Sequence, residues 1–588
     1  MKERNNELEQ ISILIQEIVG KYDSDDFISE MASLCTHLGY GPIPFQPFDK
    51  FHSPQRQIFY LIALNLSAKY TEREKYNCIT NPEQYDRWRE IINLVLSLDK
   101  AYENIFFSNF DGLTDSQKEK ATIAYPAFLN YYYSGRLEFE EQTIEKIEHF
   151  FSPFNAEIKA NFGLDVNEFI QAYNDIDELL HLQLNRVLYL LNNSPECESF
   201  WDLMKNEGKS PKSWQYTGNR DIDELILLMK DQSEKLKINS DSISNKENAR
   251  KVEILLNTIA CNDKINAEFI YFTQVNFAFE NPVYKLKDGR FLIIEIKQVI
   301  YAVYNVLLKF CQGQSKLSER FSKKRGKILE QKAGEIFRRF FNNDAHIYHE
   351  YDTILNKEQD VLIYHKGVVF IVELKASKRD TPSSNVLDSI KKIDSNFKEI
   401  FQKGHEQCTR VKKLFEEYEE VDLYNKKNDL LYTFKTRKIQ KVFTLVVTLE
   451  KFPEIQTDLS LLLKLEGDET YPYSICIDDL EVLLLVMKRE KMGLSHLINF
   501  LEQRVQFYGR LICKDELEIC GEYFYKKKFD IPPGNRPIIT HFRGTDIFEN
   551  YYENGMGFKN EKNLDRKKSG KFINFGKPIN FEQAMRQR

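Results

Sequence analysis

The stretch Glu358-Gln-Asp-Val-Leu-Ile-Tyr-His-Lys-Gly-Val-Val-Phe-Ile-Val-Glu-Leu-Lys-Ala376 decides how the chain reads. A polar lead-in precedes an apolar run from Val361 to Tyr364, the trio His365-Lys366-Gly367, and a second apolar run from Val368 to Val372. Two such runs around a glycine-containing turn predict a β-hairpin. Asp360 opens the first strand, and Glu373 and Lys375 close the second, two positions apart. Strand alternation puts Glu373 and Lys375 on one face and Leu374 on the other. Antiparallel pairing across a tight turn returns Asp360 to the side of Glu373. Two carboxylates and one ammonium then share a spot that calls for a cation, with the ammonium free to orient or polarise water. The plain alternative is a surface hairpin whose charges are merely solvated.

Asp360, twelve residues, then Glu373-Leu374-Lys375 at the end of an apolar strand resembles the PD-(D/E)xK nuclease superfamily. Gln359 stands where the motif's proline is often found. The resemblance covers a small part of the chain and points to a superfamily, not to one protein. It implies a further metal-linked Glu on the helix before the hairpin. The segment Phe321 to Phe341 offers Glu330 and Glu335. At about 100° per residue, Glu330 falls within about 20° of Phe337 and Phe341, and Glu335 lies about 140° from Glu330. An acid on an apolar stripe is costly without a cation or partner, which favours Glu330. Arg325-Gly326 ahead of Glu330 also resembles the archaeal Holliday-junction resolvase branch.

Downstream, Phe397 to Phe415 predicts an amphipathic helix with the stripe Phe397, Ile400, Phe401, Gly404, Cys408, Val411, Leu414 and Phe415. Gln407 sits on this stripe, either as a buried core residue or as an active-site residue facing the hairpin. The superfamily's recurrent glutamine on this helix favours the second reading. Val442 to Thr448 predicts the next buried strand.

The whole chain sets the frame for this site. Its 588 residues predict about three or four domains with ample apolar content. No apolar run approaches the roughly 18 residues of a membrane span, and the polar start Met-Lys-Glu-Arg-Asn-Asn-Glu is unlike a signal peptide. Nine cysteines without a CxxC pair suggest reduced thiols, and the expected location is the cytoplasm. A net charge of −7 argues against one large basic face, so nucleic-acid binding must come from local patches. The strongest runs from Lys316 to Lys332 and includes Lys323, Lys324, Arg325 and Lys327. A second, Lys435 to Lys441, includes Arg437 and Lys438, and Arg410 lies on the Gln407 helix. Both patches flank the site in sequence.

The expected class is α+β and multidomain. Residues 1–236 read as a helical sensor, partner-docking or scaffold domain, with helices at 6–22, 55–69, 83–107, 167–191 and 222–237. Glu178 and His181 have the spacing of a metal-ligand pair, but one pair is a weak signal. The Ser/Asn-rich segment 237–250 reads as a linker. Residues 251–315 read as a connecting cap, with strands at 269–279, 283–286 and 291–296 and a helix at 299–309. Its Glu295-Ile-Lys297 mimics the ExK signature without a suitably placed partner acid. Residues 316–450 form the expected restriction-endonuclease-like α/β core with a central mixed sheet. Residues 451–588 read as an α/β extension with a basic tail over 559–577, and Asp478 or Asp479 as a helix N-cap.

The resemblance implies Mg²⁺, replaceable by Mn²⁺, held by Asp360, Glu373 and Glu330. Asp360, Glu373, Lys375, Gln407 and Glu330 would form the catalytic set for phosphodiester hydrolysis leaving a 5′-phosphate. The expected function is a DNA endonuclease of a bacterial anti-phage or restriction-type system, acting with a partner protein or as a homo-oligomer through the helical region. The alternatives are an RNA-cleaving effector on the same core and a non-catalytic nucleic-acid-binding assembly protein.

Overall fold

A computed structural model describes residues 2–37, 51–76, 82–108, 110–134, 138–453, 455–513, 515–529, 534, 538–540 and 544–561. The described chain forms two compact units, one of residues 2–105 and 132–313, the other of 106–131 and 314–561. The class is α+β. No described helix is long and apolar enough to cross a membrane. Most of the basic tail lies outside the described residues.

The first unit is mainly helical, with long helices at Lys2–Val19, Pro54–Ser67, Val166–Leu184 and Ile296–Gly313. A small antiparallel sheet has the order β1 (Lys237–Ile238), β3 (Phe291–Ile293), β2 (Val283–Lys285). The expected linker at 237–250 is therefore not a linker. Ile238 is buried and pairs with Phe291. Asn239 and Asn245 accept hydrogen bonds from the first turns of the helices that follow them. The Ser/Asn content is capping chemistry inside a folded unit. The strand expected at 269–279 is also absent. Phe269 and Phe272 pack edge-on against Tyr60, and Asn276 caps the short helix Phe277–Glu280. These aromatics fill a helix-lined core and do not alternate across a pleat. Glu295 accepts from Gln55 and from the Lys297 backbone N–H, so it serves the start of a helix while Lys297 stays exposed.

The second unit is built on a five-stranded mixed sheet. Its order is β10 (Tyr473–Cys476), β9 (Lys441–Thr448), β6 (Val368–Lys375), β5 (Gln359–His365), β4 (His346–Tyr351). β5 and β6 form the hairpin, with His365 opposite Val368. Lys366 and Gly367 make the turn at φ values of 47° and 82°. Two positive-φ residues are what a type I′ turn requires, and its twist matches that of the strands. β6 then runs parallel to β9, and β9 parallel to β10. Every residue of β6 except Lys375 is buried, as expected for a strand covered on both faces.

Helix α1 (Ser315–Phe340) covers one face, where Phe337 meets Phe370. The other face is covered by α3 (Lys403–Glu417), whose Cys408 and Val411 pack with Leu362, Val369 and Ile371. A π-helical turn at Lys398–Gln402 joins α3 to α2 (Val386–Phe397), so the expected single helix carries an inserted residue ahead of Gln407. The stripe from Phe397 to Phe415 is buried as read. The antiparallel pair β7 (Glu420–Tyr424) and β8 (Leu430–Lys435) closes over this core.

The boundary at 450 does not separate domains, because β10 belongs to the same sheet as the hairpin. Asp478 and Asp479 do not cap α4 (Ile477–Arg489): its N-cap is Cys476, without a side-chain cap bond. Asp479 is buried against Lys451 at 2.9 Å, and Lys451 also meets Asp515 at 3.0 Å. These acids neutralise a buried lysine.

Candidate active site

Pairing of Val361 with Val372 means that, one step on, Asp360 faces Glu373 across the strands. Leu362, Val369 and Ile371 lie under α3, and strand alternation puts Asp360, Glu373 and Lys375 on that same face. Asp360 Oδ2 accepts the Leu374 backbone N–H at 2.6 Å, which fixes the carboxylate across the open end of the hairpin. Glu373 is fully buried, and beyond a carboxyl–carboxyl contact with Asp360 neither of its oxygens has a hydrogen-bond partner. Lys375 Nζ lies 3.6 Å from Glu373 Oε2 and donates to Gln407 Oε1 at 2.5 Å. The structure thus brings Asp360, Glu373, Lys375 and Gln407 together.

A glycine makes this approach of α3 feasible. A Cβ on Gly404 would meet the Val446 methyls at 3.0 and 3.1 Å and Lys375 Cε at 3.4 Å. The backbone can therefore come close enough for Gln407, one turn on, to reach the ammonium.

Glu330 comes from the other side. Its helix α1 packs on the opposite face of the sheet, and one of its carboxylate oxygens is buried without a partner. Burial, then the charges of Asp360, Glu350 and Glu358, push Glu330 up to about 8, with Lys426 opposing. Glu335 is exposed, so of the two candidates Glu330 is the one turned to the cluster. Burial also raises Asp360 and Glu373, and Asp360 raises Glu373 further while Lys375 opposes.

Four residues near the carboxylates were not singled out by the sequence reading. Tyr351 is fully buried with an unpartnered hydroxyl, and its pKa is raised by burial and by Glu373. Cys408 lies over the backbone carbonyls of Ile371 and Leu445, its thiol pushed up by burial and by Glu373. Glu350, between the pairs His349–Val361 and Tyr351–Gln359, has a left-handed φ of 48°. Such a backbone costs about 1–3 kcal/mol in a non-glycine residue. Glu350 meets Lys327 and Lys426, both at 3.2 Å, and Lys426 also meets Glu358 at 3.1 Å. Cys408 reads as core in sequence, Tyr351 carries no signal there, and Lys426 reaches the site only through a hairpin turn distant in the chain.

The basic candidates divide. The Arg325 guanidinium donates to the Ala376 carbonyl, directly after Lys375. Lys324 is exposed on α1, Lys323 pairs with Glu319 at 2.7 Å, and Lys327 is held by Glu350. Arg410 follows Gln407 by one turn of α3, with Nε buried and unpartnered. Arg437 and Lys438 are exposed at the wrong end of the sheet. The Gln440 N–H donates to the Gly367 carbonyl at 2.7 Å, which places their segment beside the hairpin turn. Five strand residues at about 3.3 Å each then separate that turn from Glu373, roughly 16 Å. They flank the site in sequence only, because β9 runs parallel to β6.

The donor set suits a hard cation. Asp360 and Glu373 offer oxygen ligands, and the unpartnered buried oxygens of Glu373 and Glu330 are what a cation would satisfy. Among the described residues no group of three or more His, Cys, Asp or Glu is gathered closely enough to hold a metal by itself. Asp360, Glu373 and Glu330, the expected ligand set, are not such a group; two carboxylates with bound waters are the coordination that Mg²⁺ accepts. Comparison with family models, curated proteins and solved structures gave no match.

Proposed function

We propose that this chain is a Mg²⁺-dependent endonuclease with a restriction-endonuclease-like core that hydrolyses DNA phosphodiester bonds as the effector of a bacterial defence system. One observation carries the reading. Asp360, anchored by the Leu374 N–H, converges on the fully buried Glu373, whose carboxylate oxygens have no donor from the rest of the protein at hydrogen-bond distance, while Gln407 holds Lys375 beside them. Burying like charges with so few partners is costly unless a cation completes the site.

Asp360 and Glu373 would hold the ion, with Glu330 in reach of its waters. Once bound, Mg²⁺, or Mn²⁺ in its place, would supply Lewis-acid stabilisation of the charge developing on the phosphate. Gln407 accepts from Lys375 and fixes the direction of the ammonium. Lys375 then orients the attacking water and donates to a phosphate oxygen. The water oxygen bonds to phosphorus as the bond from phosphorus to the 3′ oxygen breaks. The water gives up its proton to solvent and the leaving oxygen takes one, leaving a 5′-phosphate and a 3′-hydroxyl. Arg325 and Lys324 would contact the backbone beside the site.

Incubation of the full chain with plasmid, linear DNA and total RNA, with Mg²⁺ or EDTA, tests the reading. Cleavage of DNA with Mg²⁺ alone supports it. Cleavage of RNA only would keep the chemistry and change the substrate, and no cleavage of any of them would refute it.

A further inference from the structure

In the hairpin that closes over the core, β7 is held along both edges and β8 along one. Tyr424 of β7 exchanges two backbone hydrogen bonds with Asp352, at 2.8 and 2.9 Å, and β8 pairs along the other side. The Thr436 N–H donates to the Glu419 carbonyl at 2.9 Å, one step beyond the pairing of Glu420 with Lys435. Antiparallel alternation then turns the N–H and C=O of Tyr432 and Phe434 toward β7, and those of Thr433 and Lys435 away from it. Among the described residues no strand or loop hydrogen-bonds these outward groups. The pairing shifts register at Leu423 and Tyr424, by the turn, and is regular from the Leu423–Tyr432 pair onward.

This open edge is also apolar. Leu430-Leu431-Tyr432-Thr433-Phe434 holds neither a charge nor a proline, the devices that keep a strand edge from pairing with another strand. Phe434 is buried and Tyr432 packs against Tyr348, yet Leu430, Leu431 and Tyr432 remain 57%, 41% and 40% exposed. Free backbone groups and apolar side chains together fit an added extended strand. The end charges say which one. Asp429 precedes β8 and Lys435 ends it, both exposed. Within the chain, Asp429 accepts from Asn425 at 3.0 Å, and Lys435 has only Glu420, at 3.9 Å. Laid antiparallel on a second β8 with the two Tyr432 residues opposite each other, the edge brings Asp429 of each copy to Lys435 of the other. Sliding by two residues, the step that keeps outward groups facing, sets Lys435 against Leu431 or against Lys427. Opposite charges stabilise a strand pair and like charges oppose it, so the first register is self-complementary.

We propose that the free edge of β8 is a docking surface for a second copy of this chain, joined antiparallel, β8 to β8. Thr433 and Lys435 would supply the ladder hydrogen bonds, Leu430, Leu431 and Tyr432 the apolar contact, and Asp429 and Lys435 the register. Six strand residues from each copy make a small interface, so the dimer is a reversible one.

Sedimentation velocity of the full chain from about 1 to about 100 µM tests the pairing, whatever the outcome of the cleavage assays. The native chain should pass from monomer to dimer across that range. Asp429→Lys and Lys435→Glu, each confirmed folded by its thermal transition, should each dimerise at least about tenfold more weakly, because each sets like charges together twice. An equimolar mixture of the two variants should recover the native association, since each chain then offers the charge that the other needs. Loss of a fold within one chain could not be repaired by mixing. A native chain that stays monomeric, variants that dimerise as the native chain does, or a mixture no tighter than its parts would overturn the pairing.

Discussion

Lys375 Nζ stands 2.5 Å from Gln407 Oε1 and 3.6 Å from Glu373 Oε2, so an amide on a neighbouring helix, and not the adjacent carboxylate, makes the closer contact with the ammonium. Removing the amide should let the ammonium collapse onto Glu373 or swing away. Gln407→Ala is expected to lower kcat by about 10- to 100-fold with little change in KM, the usual cost of losing a group that orients a catalytic one. A KM effect alone would make Gln407 a substrate contact instead.

Gly404 sets how close α3 can come. An added methyl would press on Val446 and on Lys375 Cε. Gly404→Ala should cost about 1–3 kcal/mol through overpacking and should also displace Gln407. Thermal unfolding and activity should fall together, whereas Gly326→Ala, where a Cβ meets nothing, should leave activity near native.

Burial raises Glu330 from 4.5 to about 8, and Asp360 and Glu373 are raised as well. Without metal, the folded state retains protons that the unfolded chain releases. The stability these carboxyls contribute is therefore fullest below about 4.5 and is lost as pH rises toward about 8. In EDTA, Tm should fall between about pH 5.5 and pH 8.5, and Glu330→Gln should reduce that fall. Mg²⁺ should raise Tm, and more so at the higher pH, because it binds the ionised carboxylates. A Tm that rises with pH in EDTA would contradict this electrostatic account.

The basic residues should separate by location. Lys324→Ala should weaken binding uniformly and lower the salt slope by about one. Arg437→Ala with Lys438→Ala should leave binding and slope unchanged, since both lie at the hairpin-turn end of the sheet. Binding isotherms at several salt concentrations check both outcomes.

The hairpin was legible because its signals are local: alternation, a Lys-Gly turn, and charges at the strand ends. Glu330 was separable from Glu335 because helical phase alone sorts one apolar stripe from solvent. The errors concern non-local arrangement. Segment 237–250 looked like a linker because capping residues and linker residues share a composition. Arg437 and Lys438 looked adjacent because sequence distance does not reveal that a parallel strand starts at the far end of the sheet. Glu350 and Lys426 were missed because a left-handed residue on an edge strand and a lysine in a remote hairpin turn leave no periodic signal.

The most direct measurement of the central claim is Mg²⁺-dependent DNA cleavage by the native chain beside Glu373→Ala and Lys375→Ala, each confirmed folded by its thermal transition. The account predicts cleavage that EDTA abolishes and that each substitution lowers at least about a hundredfold. Native-level cleavage by either folded variant, or cleavage that persists in EDTA, would contradict it.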